Sequence, residues 1–214
     1  MSGTWAEKGT LGGGSGGSDA LAVNNLPPGD GPLPAAVADG GGGIALGYGA
    51  HAEEGASVAA GIMTRAGDGS VAVGAGATAG MYAVAAGPSA TASGMASGAY
   101  GYYANAFGIY AFAMAPGSMV RGDFAVGAGP MVEVNHSNSF VFGVDLDENG
   151  DLNEPGYTTD PNQVVLGMSG HSIIIRGKLV LRSPNGSFFS IQVDDTGELS
   201  TTPVTLSPKP EHNS

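Results

Sequence analysis

The sequence predicts an all-β protein with an extended Gly/Pro-rich N-terminus, a β-solenoid shaft and a β-rich C-terminal tip. Three observations carry this prediction. The chain has 39 glycines and is 42% hydrophobic but only 12% charged, a composition that fits neither a disordered chain nor an ordinary globule. A short apolar motif with Ala and Gly recurs at nearly constant spacing. The last third alternates apolar and polar residues between turn signals.

Residues 1–42 are expected to form a flexible segment that anchors the protein. Residues 11–18 consist of Gly and Ser with one Leu, which is linker composition, and residues 26–34 contain four prolines that oppose helices and sheet pairing alike. Trp5 precedes this linker and is the single Trp of the chain. Two interpretations are open: a disordered terminus, or a peptide that docks onto another protein, for which Trp is a favoured contact residue.

Residues 43–130 contain the repeat and are predicted to form the shaft. A tetrad of the form apolar-Ala-apolar-Gly ends at Gly47, Gly61, Gly74 and Gly87. These glycines are 14, 13 and 13 positions apart, and an Ala-x-Ala pattern follows three of the tetrads. The repeat degenerates through the Tyr-rich residues 99–103 and recovers in the tetrad that runs from Phe124 to Gly127.

This period predicts one coil of a narrow β-solenoid with two short strands. It is too short for a helical repeat, and in a strand the residues on either side of Ala face away from it. The Gly after each tetrad can adopt the positive φ that a tight corner needs. A single roll this thin buries little apolar surface, so we expect several rolls to pack around a common axis.

Residues 131–202 are predicted to form the β-rich tip, and residues 203–214 a loose tail. Strand-like runs occur at 139–143 and 163–167, and the sequence leaves open whether residues 131–170 belong to the shaft or to the tip. Further strands are expected at 173–175 and 178–182. The Asn-Gly pair in residues 183–186 predicts a hairpin, because the next strand alternates Phe189, Ile191 and Val193 with polar residues.

Charge and composition exclude several classes of protein. The net charge is −12 with only seven Lys and Arg residues, which opposes nucleic-acid binding. The absence of cysteine excludes disulfides and thiol chemistry. The first eight residues lack the pattern of a secretion signal, and no apolar run is long enough to span a bilayer, so no membrane insertion is expected.

An acidic segment between two predicted strands is the candidate metal site. Its oxygen-bearing side chains recur at alternate positions: Asp145, Asp147, Asn149 and Asp151. With Gly150 sixth, this pattern matches the first half of a calcium loop, although Gly156 stands where a bidentate Glu is expected. The alternative is a solvated acidic loop. Calcium is the one cofactor that the sequence predicts.

Aromatic side chains form the candidate binding surface. Tyr100, Tyr102 and Tyr103 cluster in the shaft, and aromatic rings can stack on sugars or fill protein interfaces. Two interpretations are open: a surface that binds a receptor or glycan, or residues that fill the axis of an oligomer or cap the roll. The sequence contains no persuasive catalytic arrangement, so the protein is predicted not to be an enzyme.

Other short motifs match known functional patterns, but we assign no function to them. Two Gly-x-Gly patterns, at residues 47–52 and 74–79, are in phase with the repeat and are read as corners of the solenoid rather than as a nucleotide site. The tripeptide Arg121-Gly-Asp123 spells an integrin-recognition motif, which arises easily by chance.

The repeat resembles the head domain of trimeric autotransporter adhesins of the YadA type. The resemblance covers roughly residues 43–130 and rests on segments such as Ser57-Val-Ala-Ala-Gly61 and Ser70-Val-Ala-Val-Gly74. It implies a left-handed parallel β-roll with three chains per spike. A signal peptide, a heptad stalk and a C-terminal barrel anchor, which such surface adhesins need, are not found in this sequence.

Residues 178–199 are similar in style to segments near the tips of bacteriophage fibres, which reuse adhesin-like rolls. We therefore predict a structural and adhesive virion fibre, of the tail, head or collar, that forms a homotrimer. Its N-terminus would attach to other virion proteins, and its distal part would bind a host receptor or glycan. The alternatives are a fragment of a bacterial trimeric surface adhesin and a small spike that cleaves polysaccharide.

Overall fold

A computed structural model describes ten segments of the chain: residues 21–23, 36–39, 41–53, 55–143, 145–146, 152–154, 156–166, 179–182, 187–193 and 196–204. Over these segments the protein is built of strands and turns, without a helix. It divides into two compact units, Met1–His171 and Ser172–Ser214. No helix in the described part of the chain is long and apolar enough to cross a membrane.

The first unit is a parallel β-solenoid. Its strands are β1 (Leu21–Val23), β2 (Val37–Ala38), β3 (Ile44–Leu46), β4 (His51–Ala52), β5 (Val58–Ala60), β6 (Arg65–Ala66), β7 (Val71–Val73), β8 (Thr78–Ala79), β9 (Val84–Ala86), β10 (Thr91–Ala92), β11 (Gly98–Tyr100), β12 (Asn105–Ala106), β13 (Phe112–Met114), β14 (Met119–Val120), β15 (Val126–Ala128), β16 (Glu133–Val134), β17 (Phe140–Phe142), β18 (Asp145–Leu146), β19 (Leu152–Glu154) and β20 (Val164–Leu166). The prediction of an all-β solenoid is confirmed.

The solenoid has two parallel sheets that alternate along the chain. Sheet A contains ten strands in the order β1-β3-β5-β7-β9-β11-β13-β15-β17-β20, and sheet B contains β2 and the even-numbered strands from β4 to β16. One coil consists of a sheet A strand, a first corner, a sheet B strand and a second corner. Successive coils pair in register, so that Ala45, Ala59 and Ala72 lie side by side.

The core between the sheets consists mainly of alanine. From β3 to β17, the middle residue of each sheet A strand points inward and is buried, as is the second residue of each sheet B strand; Ala85 and Ala92 illustrate the two rows. Buried hydroxyls complete the core: Ser97 donates a hydrogen bond to the carbonyl of Gly94 at 2.7 Å, and Ser118 donates to that of Ala115 at 2.7 Å. Small side chains are required because the two sheets of so thin a roll approach closely.

Larger side chains enter the core toward its C-terminal end. Val120, Val132 and Val134 are fully buried there, and Gly127 replaces the alanine of the sheet A row. A Cβ atom on Gly127 would lie 2.9 Å from a methyl of Val120, 2.9 Å from one of Val132 and 3.2 Å from one of Val134. The absence of a Cβ atom at Gly127 therefore leaves the space that the methyl groups of the three valines occupy.

Gly127→Ala is expected to destabilise the roll by about 1–3 kcal/mol through overpacking. Val132→Ala removes one of the crowding methyl groups, so the double variant should lose less stability than the sum of the two single variants. Chemical unfolding of all three variants at one protein concentration measures this coupling. Strict additivity would contradict the proposed compensation.

The repeat is more regular than the sequence interpretation allowed. The Tyr-rich stretch does not interrupt it, because β11 pairs in register with both β9 and β13. The predicted tetrad from Phe124 to Gly127 was wrong in register. The period is 14 residues in this half, so Val126 is the equivalent of Phe112, and Phe124 lies at a corner with a φ of 53°.

Sheet A extends beyond the predicted shaft in both directions, since it includes β1 and β20. The predicted division at residues 42, 130 and 202 stays a prediction. Between β17 and β20 the coil is enlarged by the antiparallel hairpin of β18 and β19. After this hairpin Tyr157 bridges to Glu133 in parallel, and thus returns the chain to the position of sheet B.

The second unit is an antiparallel sheet of three strands: β21 (Leu179–Arg182), β22 (Phe188–Val193) and β23 (Leu199–Val204). The pairing of Leu181 with Phe189 and of Leu179 with Ile191 places β21 and β22 in a hairpin arrangement. The predicted strand at 178–182 is confirmed over Leu179–Arg182, and it pairs as expected with the strand that contains Phe189. Lys178 and the predicted turn at residues 183–186 lie outside the described residues. Residues 173–175 lie outside the described residues.

Candidate functional site

The outer face of sheet A is the most unusual surface of the roll. Its outward-facing residues, the first and third of each strand, are apolar from β3 to β20: Ile44, Leu46, Val58, Ala60, Val71, Val73, Val84, Ala86, Gly98, Tyr100, Phe112, Met114, Val126, Ala128, Phe140, Phe142, Val164 and Leu166. Val73 is 44% exposed and Phe142 is 43% exposed in the single chain. A contiguous apolar face of this kind marks an interaction surface.

Local packing on this face is already specific. A Cβ atom on Gly98 would lie 2.8 Å from the ring of Phe112 and 2.8 Å from the ring of Tyr100. The two rings therefore cover Gly98, which is buried although it occupies an outward position. This glycine makes room for the two largest aromatic residues of neighbouring coils.

The outer face of sheet B carries several charged side chains, together with a few exposed apolar ones such as Val37 and Phe107. The Nε2 atom of His51 lies 2.7 Å from a carboxylate oxygen of Asp39, and Arg65 pairs with Glu53. Farther along the face Arg121 pairs with Glu133. Exposed pairs of this kind stabilise a protein by about 0.2–1 kcal/mol at most. They identify sheet B as a face that is compatible with solvent.

Both corners of the roll also present apolar side chains. On the first corner, which follows sheet A, these are Ile62, Met63, Tyr102, Tyr103 and Met131. On the second corner, which precedes sheet A, they are Met81, Tyr82, Met95, Ile109, Tyr110 and Phe124. Several of them adopt left-handed backbone conformations, including Tyr82, Tyr103 and Tyr110 at φ values of 53–55°. Such conformations are costly for bulky residues and are often retained for function.

The three tyrosines of the predicted binding surface occupy two different places. Tyr100 lies on the outer face of sheet A, where it pairs in register with Ala86 and Met114. Tyr102 and Tyr103 lie on the first corner, with ring centroids 4.4 Å apart and ring planes at 84°. Tyr100, Tyr102 and Tyr103 lie in one coil, but the sequence did not show that Tyr102 and Tyr103 lie on a corner rather than on the face of sheet A. It also gave no signal that Tyr110 and Phe124 stack on the opposite margin, with centroids 5.3 Å apart.

The predicted calcium loop falls largely outside the described residues, which include neither Asp147, Asn149 nor Asp151. Asp145 belongs to β18, and the hairpin with β19 encloses the segment. In the part of the chain that the structure describes, no group of three or more His, Asp or Glu residues is arranged to hold a metal ion. The calcium site stays a prediction. Trp5, the predicted anchor residue, also lies outside the described residues.

The remaining motifs are part of the solenoid. Gly47 and Gly49 form a first corner with φ values of 114° and 60°, and Gly74 and Gly76 form another, as expected for the two Gly-x-Gly patterns. The integrin-like tripeptide is engaged within the roll: Arg121 pairs with Glu133, and a carboxylate oxygen of Asp123 accepts a hydrogen bond from the backbone N–H of Ile109 at 2.8 Å. Residues 121–123 therefore do not lie on a loop that projects from the roll.

Comparison with known proteins identifies the class of fold. A scan of protein families and a search of curated proteins found no match. Among solved structures, the chain is similar to the collagen-binding domain of the Yersinia adhesin YadA, with a TM-score of 0.59 and 24% sequence identity. The match covers 76% of this chain and 84% of that domain. The chain therefore has the β-solenoid fold of the YadA head.

Proposed function

We propose that this protein is an adhesive fibre that functions as a homotrimer and has no enzymatic activity. The observation that carries the proposal is the contrast between the two faces of the roll. The outer face of sheet A is apolar from β3 to β20, whereas sheet B carries ion pairs between Arg and Glu side chains. Association through sheet A around a common axis would bury the apolar faces and leave three sheets B facing solvent.

The adhesive role is supported by the fold. The YadA domain with this fold is a collagen-binding domain of an adhesin. A rigid shaft that repeats one surface every coil can present many equivalent contacts to a polymer. We propose a glycan or another repetitive surface component of a host as the ligand class. Sheet B is the face of the roll that would remain accessible.

The first test is the mass of the purified full-length chain in solution by light scattering. We expect three times the 21.0 kDa of one chain, independent of concentration in the micromolar range. A folded monomer would overturn the trimer and the adhesive fibre that depends on it.

The calcium proposal is tested by thermal unfolding of the same purified protein. If Asp145, Asp147, Asn149 and Asp151 hold calcium, a chelator is expected to lower the unfolding temperature, and added Ca²⁺ should restore it, because an ion that binds the folded state stabilises it. The matched control is Asp147→Asn with Asp151→Asn, whose unfolding should no longer respond to either treatment. An unchanged unfolding temperature of the unaltered protein in chelator would contradict a calcium site.

We further propose that the fibre belongs to a bacteriophage particle, to which its N-terminus attaches. This rests on the linker-like head with Trp5 and on the style of residues 178–199. The competing proposal is a bacterial trimeric surface adhesin, which the similarity to YadA favours.

Deletion of residues 1–20 distinguishes the two, because it removes Trp5 but leaves β1 and the rest of sheet A intact. We expect the truncated fibre to keep the mass of the full-length protein and to be absent from assembled particles. Trp5→Ala should weaken incorporation in the same direction. Normal incorporation of the truncated chain would contradict N-terminal attachment, and its presence on a bacterial surface without any particle would favour the adhesin.

A further inference from the structure

Sheet A is bordered by the second corner, where its strands begin, and by the first corner, where they end. These two margins of sheet A carry side chains of complementary size. From β3 to β15, each sheet A strand is flanked by one residue with left-handed φ on the second corner and another on the first corner. Around β9 these are Tyr82 and Ser89, and around β11 they are Ala96 and Tyr103.

Around β13 the flanking residues are Tyr110 and Gly117. In three consecutive coils, therefore, a tyrosine on one margin stands opposite a small residue on the other, and the tyrosine changes sides each time. Beyond these coils the pattern ends: Gly69 and Gly76 flank β7, and Phe124 and Met131 flank β15.

These tyrosines are exposed in the single chain, and two of them, Tyr82 and Tyr110, contact neighbouring coils. Tyr82 is 57% exposed and Tyr103 is 51% exposed. A Cβ atom on Gly69 would lie 2.6 Å from the ring of Tyr82, so this ring lies over the preceding coil. Tyr110 and Phe124 stack with an interplanar angle of 22°.

The rings of Tyr82 and Tyr110 thus each pack on one side against a neighbouring coil, which leaves less of the ring surface free for a sugar. Stacking on a sugar requires a free ring face, whereas ring edges pack well against the side chains of another protein surface. This arrangement favours a protein partner over a glycan.

Rotational symmetry determines which partner meets these margins. When identical rolls are related by rotation about an axis parallel to the roll, all sheet A strands run in the same sense around that axis. The end of each strand then meets the beginning of the equivalent strand in the next copy. A first corner therefore always faces a second corner at the same level, because a cyclic interface joins two different surfaces of identical chains.

We propose that the first corner of one copy packs against the second corner of the next, with Tyr103 seated over Ala96 of its neighbour and Tyr82 seated over Ser89. The proposal rests on the trimer proposed above and names the partner of both corners. It assigns Tyr102 and Tyr103 to the contact between copies, and leaves the polar face of sheet B for the host ligand. The alternation in size fixes the axial register, since a shift by one coil would oppose tyrosine to tyrosine and small residue to small residue.

The test is disulfide cross-linking in the full-length chain, which has no cysteine of its own. Two double variants are made, Ala96→Cys with Tyr103→Cys, and Tyr82→Cys with Ser89→Cys. Within one chain, the two residues of each pair lie beyond opposite ends of a three-residue sheet A strand, and that strand alone spans roughly 10 Å at about 3.3 Å per residue. A disulfide joins Cα atoms only about 4.4–6.8 Å apart, so a bridge must form between copies.

We expect each oxidised double variant to run as a covalent trimer on a non-reducing denaturing gel, and to return to a monomer on reduction. The single variants are controls, as is Tyr103→Cys with Thr91→Cys, which places the second thiol on sheet B; all should remain monomeric on the gel. Light scattering of the same samples separates the two proposals. A trimer mass without cross-linking in either double variant overturns the corner contact but leaves the trimer, whereas a monomer mass overturns both.

Discussion

Gly108→Ala is expected to destabilise the roll by about 3 kcal/mol, the upper end of the range for overpacking. Gly108 lies in the second corner that follows β12, and a Cβ atom there would be 2.1 Å from the carbonyl oxygen of Gly122 in the next coil. The same approach recurs at Gly94, whose Cβ would lie 1.9 Å from the oxygen of Gly108. The obstructing atoms belong to the backbone, so no rotamer change can relieve the contact.

The measurement is the free energy of unfolding by denaturant, at a fixed protein concentration because association contributes to stability. Gly41→Ala is the matched control: nothing lies within 4 Å of a Cβ atom at that position, so we expect a change within about 0.5 kcal/mol. Equal stability of the two variants would contradict the close approach of Gly108 to the carbonyl oxygen of Gly122 in the next coil.

Val73→Glu is expected to convert the trimer to a folded monomer at micromolar concentration. In the single chain Val73 is half-exposed on the outer face of sheet A, between Ala60 and Ala86, so the substitution places no charge in the core. Around a three-fold axis the three carboxylates would converge at one level. Desolvation costs several kcal/mol per ion, and each 1.4 kcal/mol weakens association tenfold.

Two controls separate the effect of charge from the effects of size and position. Val73→Gln has the size of the Glu variant without its charge and should weaken association much less. Thr91→Glu introduces the same charge on sheet B and should leave the trimer intact. Light scattering gives the mass, and circular dichroism should show that all three variants keep their β structure. A trimer of Val73→Glu as stable as the unaltered protein would place the contact between copies elsewhere than on sheet A.

Much of the fold could be predicted because each coil repeats the same local requirements. The spacing of Gly47, Gly61 and Gly74 matched the corners, and the Ala between two apolar residues matched the inward row of sheet A. In the second unit the alternation around Ile191 matched a strand in an antiparallel sheet. These features depend on residues that are close in sequence, where periodicity is a direct signal.

The candidate sites were harder to predict, for two physical reasons. A Tyr on the outer face of a strand and a Tyr in the following corner differ by only two positions, as Tyr100 and Tyr102 do, yet they face different surroundings. The glycine at 98 interrupted the apolar pattern, although the rings of Tyr100 and Phe112 fill its place. A motif does not show this compensation, because Phe112 belongs to the next coil and lies beside Gly98 only through the pairing of β11 with β13.

The sequence by itself determined that this chain winds into a thin parallel roll, since only small inward residues and tight corners at a period of 13–14 positions fit that coil. The tertiary structure decided the rest. It fixed the register at Val126, the compensation of Gly127 for three buried valines, and the alternation of large and small residues along both margins of sheet A. These features depend on which residues of successive coils lie side by side, and the backbone pairing between coils sets that register.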